Sequence, residues 1–271
     1  MAIDYYGDES INYDFDSSDS YGDREYGMQN LDPFSGDSRS MSDYTQYAVE
    51  NIEKVSVDHD NYPDQYKSFL GRKLPEVLYC LGNSSFLNSK IVMVCGSRDV
   101  SKKGLKTAYK CGRLIAEMGY TVASGYARGV DMAAHQGALE GGGNTIAILP
   151  YGLGKFRRNS ALSDVFDFNS FLAVSELPLS FPFTAGNALR RNKLLVVLSH
   201  AVIVVESQEK GGTWFSAQYA GRKKKPLYFF EGMRKDVVPK LKSVGGERLR
   251  MIKGAPDLKK IEALMNAQKS E

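Results

Sequence analysis

Ile91-Val92-Met93-Val94-Cys95-Gly96-Ser97-Arg98 is a run of five apolar residues that stops at a glycine turn. It shows no alternation of polar and apolar positions. A continuous apolar run of this length, closed by a turn signal, reads as a strand buried on both faces. The reading extends in both directions along the chain. Val77–Leu81 is a shorter apolar run. Thr121–Ala123 leads into Ser124-Gly125, and Ala201–Val205 leads into Glu206. Thr145–Leu149, Phe171–Val174 and Leu227–Phe230 complete the set. Between these strands lie segments with helical spacing. Lys106–Met118 places Ala108, Leu114, Ile115 and Met118 on one side, and Gly129–Leu139, Ala188–Leu198, Thr213–Ala220 and Leu258–Met265 follow. Apolar strands alternating with helices predict an α/β fold: a doubly wound, mostly parallel sheet with helices on both faces. There is no internal repeat.

Length and charge organise the rest. The chain has 271 residues with 35 Lys and Arg against 32 Asp and Glu, a net charge of +3. Residues 1–44 hold eleven acids and two bases, net −9, so the remainder is +12. The acidic segment also carries six tyrosines and few aliphatic residues. It cannot bury enough apolar surface to offset its ordering entropy, which predicts disorder. It reads either as a solvated, partner-docking arm or as a mimic of nucleic acid, with carboxylates for phosphates and tyrosines for bases. The expected boundaries are this acidic tail at 1–44, a lead-in at 45–89, the α/β domain at 90–232 and a basic extension at 233–271.

Several classes drop out. No apolar run approaches the roughly 20 residues of a membrane span. No basic leader precedes an apolar stretch, which argues against secretion. The three cysteines, Cys80, Cys95 and Cys111, are odd in number and lack CxxC spacing, so neither a disulfide framework nor a zinc site is expected, and the setting is read as cytoplasmic. No nucleophile–base set stands out, so catalysis is disfavoured and no cofactor is expected.

In open parallel sheets, ligands bind at the carboxyl ends of the strands. Three of the predicted strand ends gather glycines and charges. Gly96-Ser97-Arg98 offers a turn, a hydroxyl and a guanidinium that can clamp a phosphate. Ser124-Gly125-Tyr126-Ala127-Arg128-Gly129 precedes a helix that opens with Asp131 and holds His135. Asp131 reads as compensation of the helix dipole or as an orienter of Arg128, and His135 as a core histidine bonded to its neighbours. Gly211-Gly212-Thr213 offers backbone amides and a hydroxyl at a helix start. Neither a Walker loop nor a GxGxxG dinucleotide fingerprint is present. Lys155-Phe156-Arg157-Arg158 sets an aromatic among bases, and Arg190-Arg191-Asn192-Lys193 opens a helix. Bases interleaved with an aromatic suit a single strand, which needs phosphate neutralisation and base stacking.

These motifs, taken in order, resemble the DNA-processing DprA/Smf family from about Tyr62 to Glu231. The match carries Tyr62-Pro63, Leu81-Gly82-Asn83, Gly96-Ser97-Arg98 and Ser124-Gly125, then Ala127-Arg128-Gly129, Asp131 and Ala134-His135-Gln136-Gly137-Ala138-Leu139. It continues through Gly152-Leu153, Ser175-Glu176-Leu177-Pro178, Arg191-Asn192, Val204-Val205-Glu206 and Gly211-Gly212-Thr213. The resemblance implies an extended Rossmann-like domain. It implies single-stranded DNA binding, a homodimer, help in loading a RecA-type recombinase during DNA uptake, and no catalytic reaction. By motif, Arg98 and Arg191-Asn192 would line the DNA pocket. The backbone from Gly125 to Gly129 and at Gly211-Gly212 would hold phosphates, and Lys155 would be a further contact. Arg157 is expected on a phosphate and Phe156 on a base. The sequence departs from the family where Phe156-Arg157 replaces a Tyr-Pro, where Ala188-Leu189-Arg190 replaces a Phe-Pro before Arg191-Asn192, and where Glu231-Gly232 replaces a Pro-Gly. No C-terminal winged helix is apparent. A rival reading is a sensor or hydrolase of nucleoside monophosphates on a related fold. Such enzymes carry an acid after the glycine loop, whereas residues 214–221 contain none.

Overall fold

Val92 and Val94 pack into one hydrophobic cluster, whereas Ile91, Met93 and Cys95 pack into another. That is the two-residue period of a strand held between two helix layers. The computed structural model describes residues 50–230 and 235–267. Its strands are β1 (Ile52–Ser56), β2 (Val77–Leu81), β3 (Ile91–Cys95), β4 (Thr121–Ser124), β5 (Thr145–Ile148) and β6 (Phe171–Ser175), then β7 (Ala201–Val204), β8 (Leu227–Phe230) and β9 (Gly246–Leu249). The helices are α1 (Asp64–Leu70), α2 (Lys102–Glu117), α3 (Val130–Glu140), α4 (Ala185–Leu198), α5 (Gly212–Arg222), α6 (Val237–Ser243) and α7 (Lys259–Ala267). The sheet order is β1-β2-β6-β5-β4-β3-β7-β8-β9. The seven strands from β6 to β9 in that order run parallel, and β2 and β1 add antiparallel at one edge. The doubly wound, mostly parallel, Rossmann-like α/β fold is therefore present.

Helices α1, α4, α5 and α6 cover one face, through Tyr66, Leu194–Leu198, Ala217, Ala220, Val237 and Leu241. Helices α2, α3 and α7 cover the other, through Ala108, Cys111, Ile115, Val130, Ala134, Ile261 and Met265. Helices α2 and α3 touch backbone to backbone. A Cβ on Gly112 would meet the Ala134 carbonyl oxygen at 2.1 Å, and one on Gly137 would meet that of Tyr109 at 2.0 Å. Helix α2 begins at Lys102, a turn earlier than the apolar spacing predicts, because the Ser101 hydroxyl accepts from the Gly104 amide at 2.9 Å. The cap adds a turn that has little apolar signature of its own.

The sheet crosses the expected domain boundaries at 90 and 232. Strands β1 and β2 belong to the lead-in, and β9 belongs to the C-terminal extension. In β1 only Val55 is fully buried, and in β9 only Leu249, so these edge strands lack the apolar run that marks β3. The acidic tail at 1–44 lies outside the described residues. All three cysteines are free and buried, and burial pushes each thiol well above its usual range. Among the described residues, no helix is long and apolar enough to cross a membrane, and no group of three His, Cys, Asp or Glu is placed to hold a metal.

Candidate functional site

Strands β3 and β7 are neighbours, yet the chain leaves β3 towards β4 and leaves β7 towards β8. Their connections diverge, which opens a crevice at their carboxyl ends, the usual ligand position in such sheets. The loop after β3 is closely packed on its surroundings. The Ser97 amide donates to the Glu206 carbonyl at 2.8 Å, and the Val130 amide to the Ser97 carbonyl at 3.4 Å. Gly129 has φ of 84°, and a Cβ there would lie 2.6 Å from the carbonyl oxygens of both Ser97 and Arg98. Only glycine fits this combination of angle and space. The Glu206 carboxylate accepts from the Ser101 amide at 3.0 Å and from the Ser101 hydroxyl, so its charge is spent at the start of α2.

Two helices open onto this crevice without a side-chain cap. Gly129 precedes α3 and Gly211 precedes α5, and neither glycine has a side chain to cap the helix amides. At α3 the Val130 and Met132 amides donate to the carbonyls of Ser97 and Ala127, at 3.4 and 3.2 Å, so the leading amides of α5 are the ones whose partial positive charge suits an anion. Thr213 lies in the first turn of α5, half-buried. Arg128 is exposed and pairs with Asp99 at 2.7 Å; this accounts for Arg128 in place of the predicted Asp131 contact. Asp131 is buried instead, and its Oδ2 accepts from the Ala127 amide at 3.4 Å. Burial raises its pKa, while Arg191 and several hydrogen bonds pull it back down.

Arg191 explains that attraction. It is only 6% exposed, and its Nη1 donates to the carbonyls of Gly125 and, at 2.6 Å, Ile148. Its Nε donates to Asn192 Oδ1 at 2.9 Å, and Asn192 Nδ2 donates to the Gly212 carbonyl at 3.2 Å. The pair thus ties the ends of β4 and β5 to the start of α5. The expectation that Arg191 and Asn192 spend their polar groups on a ligand needs correcting, because these bonds are internal. Burial lowers the Arg191 pKa to about 10, with Asp131 opposing, so it stays cationic at neutral pH beneath the crevice. The Arg98 charge is close enough to act on Arg191. Ser124 is likewise fully buried, and its hydroxyl donates to the Val94 carbonyl at 2.6 Å, a structural bond.

Lys155 is exposed on the loop after β5. Phe156 is a second correction. Its ring is fully buried and lies among Tyr126, Phe171, Phe166 and Phe168 at centroid distances of 5.3, 6.0, 6.4 and 6.5 Å. A base cannot reach it. Arg157 is half-buried, and its Nη1 donates to the Phe156 and Gly154 carbonyls at 2.7 and 3.3 Å. Tyr126 is a residue that the sequence reading passes over. It holds φ at 60°, uncommon for a residue with a side chain. Its hydroxyl donates to the Arg157 carbonyl at 3.2 Å and accepts from the Asn159 amide at 2.8 Å. The ring therefore joins the loop after β4 to the Lys155 loop. His135 is the core histidine expected. The Thr145 hydroxyl donates to the Val122 carbonyl, so it accepts from His135 Nδ1 at 2.7 Å. Burial lowers the His135 pKa to about 3, which keeps the ring neutral.

Comparison with known proteins bears on this geometry. A family model described as DNA recombination-mediator protein A matches residues 53–268. The DNA processing protein DprA of Streptococcus pneumoniae is 34% identical over 165 residues, covering 58% of this chain and 56% of that protein. Protein Smf of Escherichia coli is 32% identical over 184 residues, covering 67% of this chain and 49% of that protein. The chain thus spans about half the length of these curated relatives. The crystal structure of Streptococcus pneumoniae DprA superposes with a TM-score of 0.64 at 26% identity, covering 76% of this chain and 74% of that one. Helicobacter pylori DprA, described for its single-stranded DNA binding mode, shares the fold with a TM-score of 0.66 at 22% identity, covering 80% of this chain and 97% of that one. The matched region runs from β1 to the last helix and takes in each loop of the crevice, and the chain belongs to the DNA recombination-mediator protein A family.

Proposed function

We propose that this chain binds single-stranded DNA at the β3–β7 crevice, by contact and without chemistry. One observation carries the reading. The start of α5, which has no side-chain cap, and the Gly129 turn before α3 flank a crevice whose charged side chains include Arg98 and Arg128, above the buried cation of Arg191. Amides at Gly129, Gly211 and Gly212 suit phosphates, and glycine there lets a backbone approach closely. Arg98, Arg128 and Lys155 neutralise phosphates. The exposed Arg128–Asp99 pair is worth about 0–1 kcal/mol, so Arg128 exchanges partners readily. Arg191 and Asn192 hold the loops in place and add a fixed positive field. Family membership supports a place in recombination: a cytoplasmic homodimer that protects the strand and helps load a RecA-type recombinase.

The test is retardation of a labelled oligothymidine by the full chain and by Arg98→Ala. A charge-assisted hydrogen bond is worth about 1.5–3 kcal/mol, so Arg98→Ala weakens binding by about tenfold or more. If the wild-type chain retards no oligonucleotide at low salt, the reading is wrong.

A further inference from the structure

Helix α5 leaves the crevice at Gly212 and carries a second array of cations and rings along its length. Phe215 and Tyr219 lie one turn apart with nearly parallel rings, 3° between planes and centroids 6.4 Å apart. Three cations stand over the Tyr219 ring: Lys193 Nζ at 5.8 Å, Arg222 Cζ at 5.5 Å and Lys223 Nζ at 5.7 Å. A single cation over an aromatic is common on surfaces, about one significant case per 70–80 residues. Three around one ring repel each other, and an anion among them relieves that repulsion. Residues 212–222 contain no acid, and three lysines follow Arg222.

The array begins at the crevice. Lys193 follows Asn192, whose amide donates to Gly212. From there the helix carries the array away by about 15 Å, at 1.5 Å per residue. At the far end, Lys223 Nζ donates to the Phe69 carbonyl at 3.0 Å, and Lys225 Nζ stands 4.4 Å from the centroid of the Phe69 ring, which is exposed. Continuity with the crevice, positive charge and an aromatic platform suit one occupant, an extended single strand.

We infer that α5 carries the continuation of the strand held in the crevice, with a base stacked on Tyr219 and phosphates on Arg222 and Lys223. This inference rests on the single-strand reading of the crevice. It gives the site a direction: a strand longer than the crevice runs down α5 towards Phe69.

The test is fluorescence anisotropy of the full chain with oligothymidines of about six and about twenty nucleotides. The variants are Tyr219→Leu, which keeps an apolar side chain against the core, and Arg222→Glu combined with Lys223→Glu. Both should bind the short oligonucleotide as the wild type does. Both should bind the long one at least about fivefold more weakly. For the double variant, the salt slope on the long strand should become shallower by about 1.4, or 0.7 per phosphate contact. Should the wild type prefer the long strand while both variants match it at both lengths, or lose equally at both, the continuation along α5 is wrong and the crevice reading survives. Should the wild type bind neither length, the crevice reading fails and this inference fails with it.

Discussion

Replacing Arg191 with alanine separates a brace from a contact. The guanidinium is buried and satisfies two carbonyls, Gly125 and Ile148, on neighbouring strand ends. It also holds Asn192 and faces the buried Asp131. Alanine leaves both carbonyls without that donor and leaves Asp131 without its opposing charge. Removing one member of a buried charged pair costs about 3–5 kcal/mol. Each lost charged hydrogen bond costs about 1.5–3 kcal/mol, and these contributions overlap because they belong to one network. A total near 4 kcal/mol is the working figure. With a urea dependence near 2 kcal/mol per molar, the unfolding midpoint drops by about 2 M. Arg191→Lys keeps the charge but cannot fork across both carbonyls and Asn192, so it recovers only part of the loss. Lys155→Ala is the control, expected within about 0.5 kcal/mol of wild-type stability because Lys155 is exposed on a loop. If Arg191→Ala unfolds at the wild-type midpoint and loses only DNA affinity, Arg191 is a ligand contact and the bracing argument is refuted.

Phe156→Leu should lower the melting temperature through its buried aromatic cluster while leaving oligothymidine affinity at the wild-type value; a selective loss of affinity would restore a base-stacking role. The pH dependence of unfolding should carry a signature of His135. Its folded pKa of about 3 lies below the usual 6.5, so the unfolded state takes up the proton first, and stability is lost as pH falls below 6.5. The slope is at most about 1.4 kcal/mol per pH unit for this group. His200 is shifted down as well and adds in the same direction, while Asp131, shifted up, opposes both at more acid pH. His135→Gln should flatten the loss between pH 6.5 and about 4 in urea titrations, and an unchanged slope would contradict a neutral buried ring.

Much of the fold is legible because burial writes itself into the sequence. Strand β3 is apolar at every position since helices cover both faces, and the same holds for β7 and β8. Strands β1 and β9 escape the reading for the converse reason: at the edges one buried residue suffices, and Ile52-Glu53-Lys54-Val55-Ser56 looks like loop. The crevice is legible as well, because glycine turns at successive strand ends are a property of local backbone. What each charged side chain does there is not. Nothing in Arg190-Arg191-Asn192-Lys193 marks Arg191 as a brace, because the carbonyls it holds, those of Gly125 and Ile148, are distant in sequence. Phe156 reads as a stacking residue from its basic neighbours, yet Phe166, Phe168 and Phe171 supply an apolar nest that claims it. That cluster was the available signal.

The central claim is that the crevice holds a single strand through its phosphates. Its most direct measurement is an anisotropy titration of the full chain with an oligothymidine of about six nucleotides, at about 50 and about 200 mM salt, beside a duplex of equal length. Three contacts, from Arg98, Arg128 and Lys155, predict a slope of log affinity on log salt near −2, or a roughly 20-fold loss over that range. The single strand should bind more tightly than the duplex, and Arg98→Ala should make the slope shallower by about 0.7. Affinity that ignores salt, or a duplex that binds as well as the single strand, would contradict the account.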